Sequence, residues 1–184
     1  MGQCIPLLKE EFSKRYSDIE LRDSEICTTG NDIYDEGDNA EFMRKAAAII
    51  HGELSSGNEV YLSVAGGRKT MSAAMALLGQ LYGVKSLLHL LVNPELERDG
   101  LITKLIELPE EKGELVLHPP ANARILVEFP VFAIPWKIDL VIEALERGSS
   151  EDPQLDGIVK RMSDKTRELL RKILREAEKA ATER

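Results

Sequence analysis

Apolar positions along this chain change period several times, and each change marks an element. Val60-Tyr61-Leu62-Ser63-Val64 and Ser86 to Val92 have strand composition. The second is almost continuously apolar, as expected of a strand covered on both faces. Between them Met71, Ala74, Met75, Leu78 and Leu81 recur at helical spacing, and Gly83 supplies a stop. Upstream, Pro6 opens a helical pattern through Leu7, Leu8, Glu11 and Phe12 to about Tyr16, followed by a short strand at about Ile19 to Arg22. Thr28 to Asp32 reads as a loop. Asp38 or Asn39 then caps a helix with Phe42, Met43, Ala46, Ile49 and Ile50 on its apolar side, ended by Gly57-Asn58. A helix joining two apolar strands predicts parallel neighbours whose carboxyl ends lie at one edge.

Past Asn93-Pro94 the rhythm changes. Leu101 to Leu108 and Leu115 to Leu117, separated by Pro109 to Gly113, predict a hairpin. Arg124 to Phe129 predicts another strand, and Pro130 and Pro135 after it cannot both lie inside a central ladder. Ile138 to Leu145 is helical, Gly148-Ser149-Ser150 is a break, and Pro153 starts a final helix. That helix carries Leu155, Ile158, Val159, Met162, Leu169, Leu170, Ile173 and Leu174 among Arg, Lys and Glu, a stripe for packing on the domain or on a partner subunit. The expected architecture is α/β, a Rossmann-like and mostly parallel sheet flanked by helices, with a β-hairpin insertion and a C-terminal helical tail. Residues 1–136 form the first domain and 137–184 the helical extension.

The link Ser63-Val64-Ala65-Gly66-Gly67-Arg68-Lys69-Thr70-Met71 joins a strand to a helix through two glycines and two cations. At the carboxyl edge of parallel strands that position binds ligands, and free amides at a helix start favour an anion. Gly66 and Gly67 permit positive φ and close approach, while Arg68 adds a planar fork and Lys69 a point charge. A phosphate-bearing ligand follows from this, held by Ala65, Gly66, Gly67, Arg68, Lys69 and Thr70. A tight strand-to-helix turn with two solvated cations is equally compatible with the same residues. An ATPase P-loop is not, because that motif needs a glycine separated by four residues from its Gly-Lys-Ser/Thr, and Leu62 stands at that distance from Gly67.

Composition narrows the setting. The chain has 184 residues, a formal charge of -8 and a pI near 5.1, which disfavours a broad footprint for duplex DNA or an anionic membrane. Cys4 and Cys27 have no paired spacing or metal-site companions, so they read as reduced thiols. No stretch reaches transmembrane length, and Met1 to Lys9 lacks the basic start and long apolar run of a leader. A cytoplasmic location without bound metal or cofactor is expected. His89 lies mid-strand among leucines and reads as a satisfied core histidine.

The string from Glu59 to Ala74, followed by Leu81-Tyr82-Gly83 and His89-Leu90-Leu91-Val92, resembles the CRISPR-associated Rossmann-fold proteins, called CARF proteins. Asp32-Ile33 and Asp38-Asn39 before an amphipathic helix match one subgroup of that family. The resemblance covers roughly Asp18 to Pro94, with Ala65-Gly66-Gly67-Arg68-Lys69-Thr70-Met71 as its most specific part. It implies a homodimer whose two domains form one symmetric pocket for cyclic oligoadenylate, of four or six units, the second messenger of type III CRISPR defence. It also implies that Lys69 stabilises developing charge during ring cleavage, that Ser63 orients the loop, and that Asn93 touches ribose or base, although a serine at the strand end is equally a capped backbone partner. Asn93-Pro94 is equally a turn signal.

Some CARF proteins carry a ligand-activated RNase domain marked by an Arg and a later His. The last histidine here is His118, so that effector is not expected in Lys137 to Arg184. The resemblance leaves a metal-independent ring nuclease as the leading expectation, a non-catalytic sensor acting through the C-terminal helices as the second, and an unrelated nucleotide-binding enzyme as the third. A complete CARF domain opens with an apolar strand whose loop lines the same pocket. This chain is expected to open with the helix at Pro6 instead, through an internal start or a reduced sheet.

Overall fold

The computed structural model describes residues 4–16, 18–21, 33–65, 67–99, 109–134 and 136–182. The loop at Thr28 to Asp32, the strand at Leu101 to Leu108, Cys27, Gly66 and Pro135 lie outside these. In chain order the elements are α1 (Cys4–Arg15), α2 (Glu36–Ser55), β1 (Tyr61–Ser63), α3 (Lys69–Tyr82), β2 (Ser86–Val92), α4 (Pro94–Asp99), α5 (Glu110–Leu117), a 3-10 turn (Ala121–Ala123), β3 (Arg124–Phe129), α6 (Ile138–Arg147), α7 (Pro153–Arg161) and α8 (Asp164–Thr182). The fold is α/β and Rossmann-like, as the alternating pattern predicts.

The described strands form one sheet in the order β1-β2-β3. β1 and β2 are parallel, with Tyr61 opposite Ser86, Leu62 opposite Leu87 and Ser63 opposite Leu88. Lys85 N donates to Val60 O and Val64 N to Leu88 O, both at 2.8 Å, which extends the pairing past the short β1. Asn93 N donates to Ala123 O (3.1 Å) ahead of β3, and Ser86 Oγ bonds Glu128 Oε1 (2.7 Å) near its end.

The chain divides into two compact units, one of Met1–Glu25 and Leu90–Leu126, the other of Ile26–His89 and Val127–Arg184. The second holds the parallel pair and the main core: Phe42, Met43, Ala46, Ala47 and Ile50 of α2, Leu62 of β1, Ala74 and Leu78 of α3, Leu87 of β2, and Ile173 and Ala177 of α8. A further cluster joins Val141, Ile142, Ala144 and Leu145 of α6 to Leu155 and Val159 of α7 and Leu174 of α8. In the first unit, Glu11 of α1 meets His118 Nε2 at 2.6 Å, and Arg15 pairs with both Glu11 and Glu114 of α5.

Several local expectations are corrected. Leu115 to Leu117 is the end of α5 and not a strand, the helix starting directly after Pro109 at its N-cap. Ile19 lies in a turn, its N–H bonded to Tyr16 O (2.9 Å). The cap of α2 is Asp35, and Asp38 and Asn39 are inside the helix. The final helix is two: Ser163 Oγ accepts from Thr166 N (3.1 Å) and starts α8 afresh. Among the described residues β2 is covered along its first half only, with Leu90 and Leu91 exposed. The C-terminal stripe is spent inside the chain, since Leu155, Val159, Ile173 and Leu174 are all at most 3% exposed. No described helix is long and apolar enough to cross a membrane.

Candidate functional site

The link from β1 to α3 is tied at both ends. Ser63 Oγ accepts from Ala65 N (3.3 Å). Ser72, on the first turn of α3, donates through Oγ to Val64 O (3.1 Å) and so fixes the helix start against the strand end. Gly67 has φ +71, a backbone conformation that favours glycine, and a Cβ there would lie 3.0 Å from Met71 Sδ. Arg68 is the N-cap residue in extended conformation, and no side chain caps the helix. Its carbonyl accepts from Met71 N (2.9 Å) and Ser72 N (3.2 Å). The first amides of a helix have no intrahelical acceptor, so α3 presents uncapped N–H groups and the positive end of its dipole at this point.

Gly67, Arg68, Lys69 and Thr70 are exposed and line an open groove of about 790 Å³. Its opposite side is the start of α2, contributed by Tyr34, Asp35, Glu36 and Asn39. The two carboxylates there are already engaged. Asp35 Oδ1 accepts from Asp38 N (2.8 Å), and Glu36 pairs with Lys165 Nζ at 2.6 Å. Arg68 is engaged as well, its guanidinium carbon 5.3 Å from the centroid of the Tyr34 ring. The Lys69 side chain joins no ion pair among the described residues, which makes it the cation of the groove with its charge uncommitted. No group of three or more His, Cys, Asp or Glu side chains that could hold a metal occurs among the described residues.

A helix start with uncapped amides, a left-handed glycine before it and an uncommitted lysine beside it is a cradle for an anion. The family model for CRISPR-associated protein NE0113 matches residues 3–164. The chain belongs to this family. It is also 32% identical over 106 residues to the CRISPR system ring nuclease SSO2081 of Saccharolobus solfataricus, across 57% of this chain and 50% of that protein. The chain thus spans about half the length of the curated relative it matches.

In this NE0113-family chain the predicted site residues separate into two groups. Ser63, Ala65, Gly67, Arg68, Lys69 and Thr70 come together on one loop and helix start, all within one unit. Asn93 belongs to the other unit, where its Oδ1 accepts from Leu96 N (2.9 Å) and caps α4, the task its Asn-Pro sequence signals. His89 is half-buried on β2, but its Nδ1 has no hydrogen-bond partner among the described residues, so it is not the satisfied core histidine expected.

Sequence reading missed Tyr34 and Asp35. Asp35 and Asp38 stand three residues apart, the spacing of reciprocal capping, and the structure uses both: Asp38 Oδ2 accepts from Tyr34 N (2.9 Å) while Asp35 caps Asp38. That spacing was available as a signal. The approach of Tyr34 to Arg68 was not, since only the fold brings residues 34 apart in sequence together.

Proposed function

We propose that this chain binds a cyclic oligoadenylate of four or six units and opens it as a metal-independent ring nuclease. The observation that carries the reading is the uncapped start of α3 beside Gly67 and Lys69, at the carboxyl end of a parallel strand, in a chain of a CRISPR-associated family with a ring nuclease among its relatives. A phosphodiester of the ring lies against the amides of Gly67, Arg68 and Lys69, and the Lys69 ammonium faces its non-bridging oxygens. The adjacent ribose 2′-oxygen attacks phosphorus and the bond from phosphorus to the 5′-oxygen breaks. The proton lost from the 2′-hydroxyl is matched by one gained at the leaving oxygen, and the products end in a 2′,3′-cyclic phosphate and a 5′-hydroxyl. The protein aligns the attacking and leaving oxygens and stabilises the charge that builds on phosphate.

The open groove of one chain is the size of a pocket for a drug-like ligand, about 300–1,000 Å³, whereas a ring of nucleotides is larger. We therefore assign two chains to each ring, with the loops related by two-fold symmetry. The test is incubation of purified protein with labelled cyclic tetra-adenylate and hexa-adenylate in EDTA. Conversion to linear products with a cyclic phosphate end is the expected result. Tight binding with the ring intact replaces the nuclease by a sensor, and binding of AMP or ATP as tightly as the ring points to an unrelated nucleotide enzyme.

A further inference from the structure

The phosphate reading leaves the ring of Tyr34 unused. This side chain is 75% exposed, while its backbone is tied to the start of α2. Its N–H donates to Asp38 Oδ2 (2.9 Å), and the next residue, Asp35, is the N-cap of α2. A fixed backbone carrying an open aromatic ring is a platform, with little conformational freedom left to lose on binding. Arg68 lies over that ring at 5.3 Å, inside the roughly 6 Å range of a cation–π contact, and Arg68 belongs to the glycine loop. The platform and the anion cradle are therefore joined through one side chain. Charge also sorts the two sides of the groove. Asp35 and Glu36 follow Tyr34, Glu36 is paired with Lys165, and the Asp35 carboxylate disfavours phosphate there, while the uncharged face of a nucleobase meets no such penalty.

We propose that Tyr34 stacks a purine base of the ring while the start of α3 holds a phosphate of the same ligand. The proposal rests on the cyclic oligoadenylate reading above. It makes Tyr34 a positioning residue: stacking fixes the nucleotide so that its ribose and phosphate lie at Gly67 to Lys69. Every base offers a π face, so Tyr34 supplies affinity and orientation and leaves base identity to other contacts.

Calorimetry with full-length protein and cyclic tetra-adenylate or hexa-adenylate tests this. Tyr34→Phe keeps the platform and binds close to wild type. Tyr34→Ala weakens binding roughly 5- to 150-fold, the span measured for losing one base–aromatic stack, with an unchanged melting temperature because the side chain is exposed. Tyr34→Trp, with wild-type Trp136 emission as baseline, gives an indole signal that the ring quenches and inorganic phosphate does not. Unchanged affinity of Tyr34→Ala, equal losses for Phe and Ala, or a Tyr34→Trp emission that ignores a bound ring each overturns the stacking role while the ligand assignment stands. Wild-type protein that binds neither ring overturns the ligand assignment and the stacking role together.

Discussion

Arg68 and Lys69 are adjacent and carry the same charge, yet the structure gives them different work. Arg68 packs on Tyr34, and its carbonyl starts the hydrogen bonding of α3. Lys69 is exposed on the first turn of the helix, in the groove, with no ion pair among the described residues. Lys69→Ala should therefore weaken cyclic oligoadenylate binding by about 1–3 kcal/mol, the loss of one charge-assisted contact, and leave thermal stability unchanged. Unchanged affinity in calorimetry removes Lys69 from the site. The loop was legible in the sequence because its glycines, cations and helix start are contiguous. Tyr34 was not, because its partner comes from a different element and Asp35 was passed over as a cap in favour of Asp38 and Asn39.

At the scale of elements, glycine and carboxylate positions show how tightly the second unit is built. Gly79 lies on the buried side of α3, where an added Cβ would sit 2.6 Å from Leu87 Cδ2 and 3.3 Å from Val84 Cγ2. Gly79→Ala gains up to about 1 kcal/mol of helix propensity, against about 1–3 kcal/mol for overpacking a filled core. The expected net is a loss of about 1–2 kcal/mol, read as a lower urea midpoint; a raised midpoint shows that β2 gives way freely. Glu178 of α8 is held above the ordinary carboxylate range, first by burial and then by its hydrogen bond to Asp139 of α6, while Arg175 pulls the other way. The folded state thus favours its proton. That contribution is full below the ordinary glutamate value and is lost as pH rises through the raised one. Glu178→Gln, which keeps a donor toward Asp139, should melt above wild type at pH 8 and match it near pH 4. A variant less stable at pH 8 shows that the bond from Arg175 outweighs the desolvated charge. Neither device was visible in the sequence, which gives periodicity but not which helix faces which. For the same reason Leu115 to Leu117 was misread: three apolar residues fit a strand as well as the end of a helix.

For the whole molecule, the sequence left the C-terminal stripe free to serve the domain or a partner, and the structure decides for the domain. Leu174 and Val159 are fully buried and Ile173 is 2% exposed, so α7 and α8 draw on burial worth about 1.5–3 kcal/mol per large side chain within their own chain. In the proposed dimer a second copy then docks elsewhere. The proposed two-fold pocket does not depend on the stripe, because its requirement is geometric: one chain presents one start of α3 and one Tyr34, and a ring of phosphates repeats around its axis. The expected species in light scattering is a dimer, and calorimetry should give one ring per two chains. Lys69→Ala should lower affinity at that same stoichiometry, since it alters the contact and not the assembly. A monomer that binds one ring per chain overturns the shared pocket, and a dimer that binds two rings assigns each groove a ligand of its own.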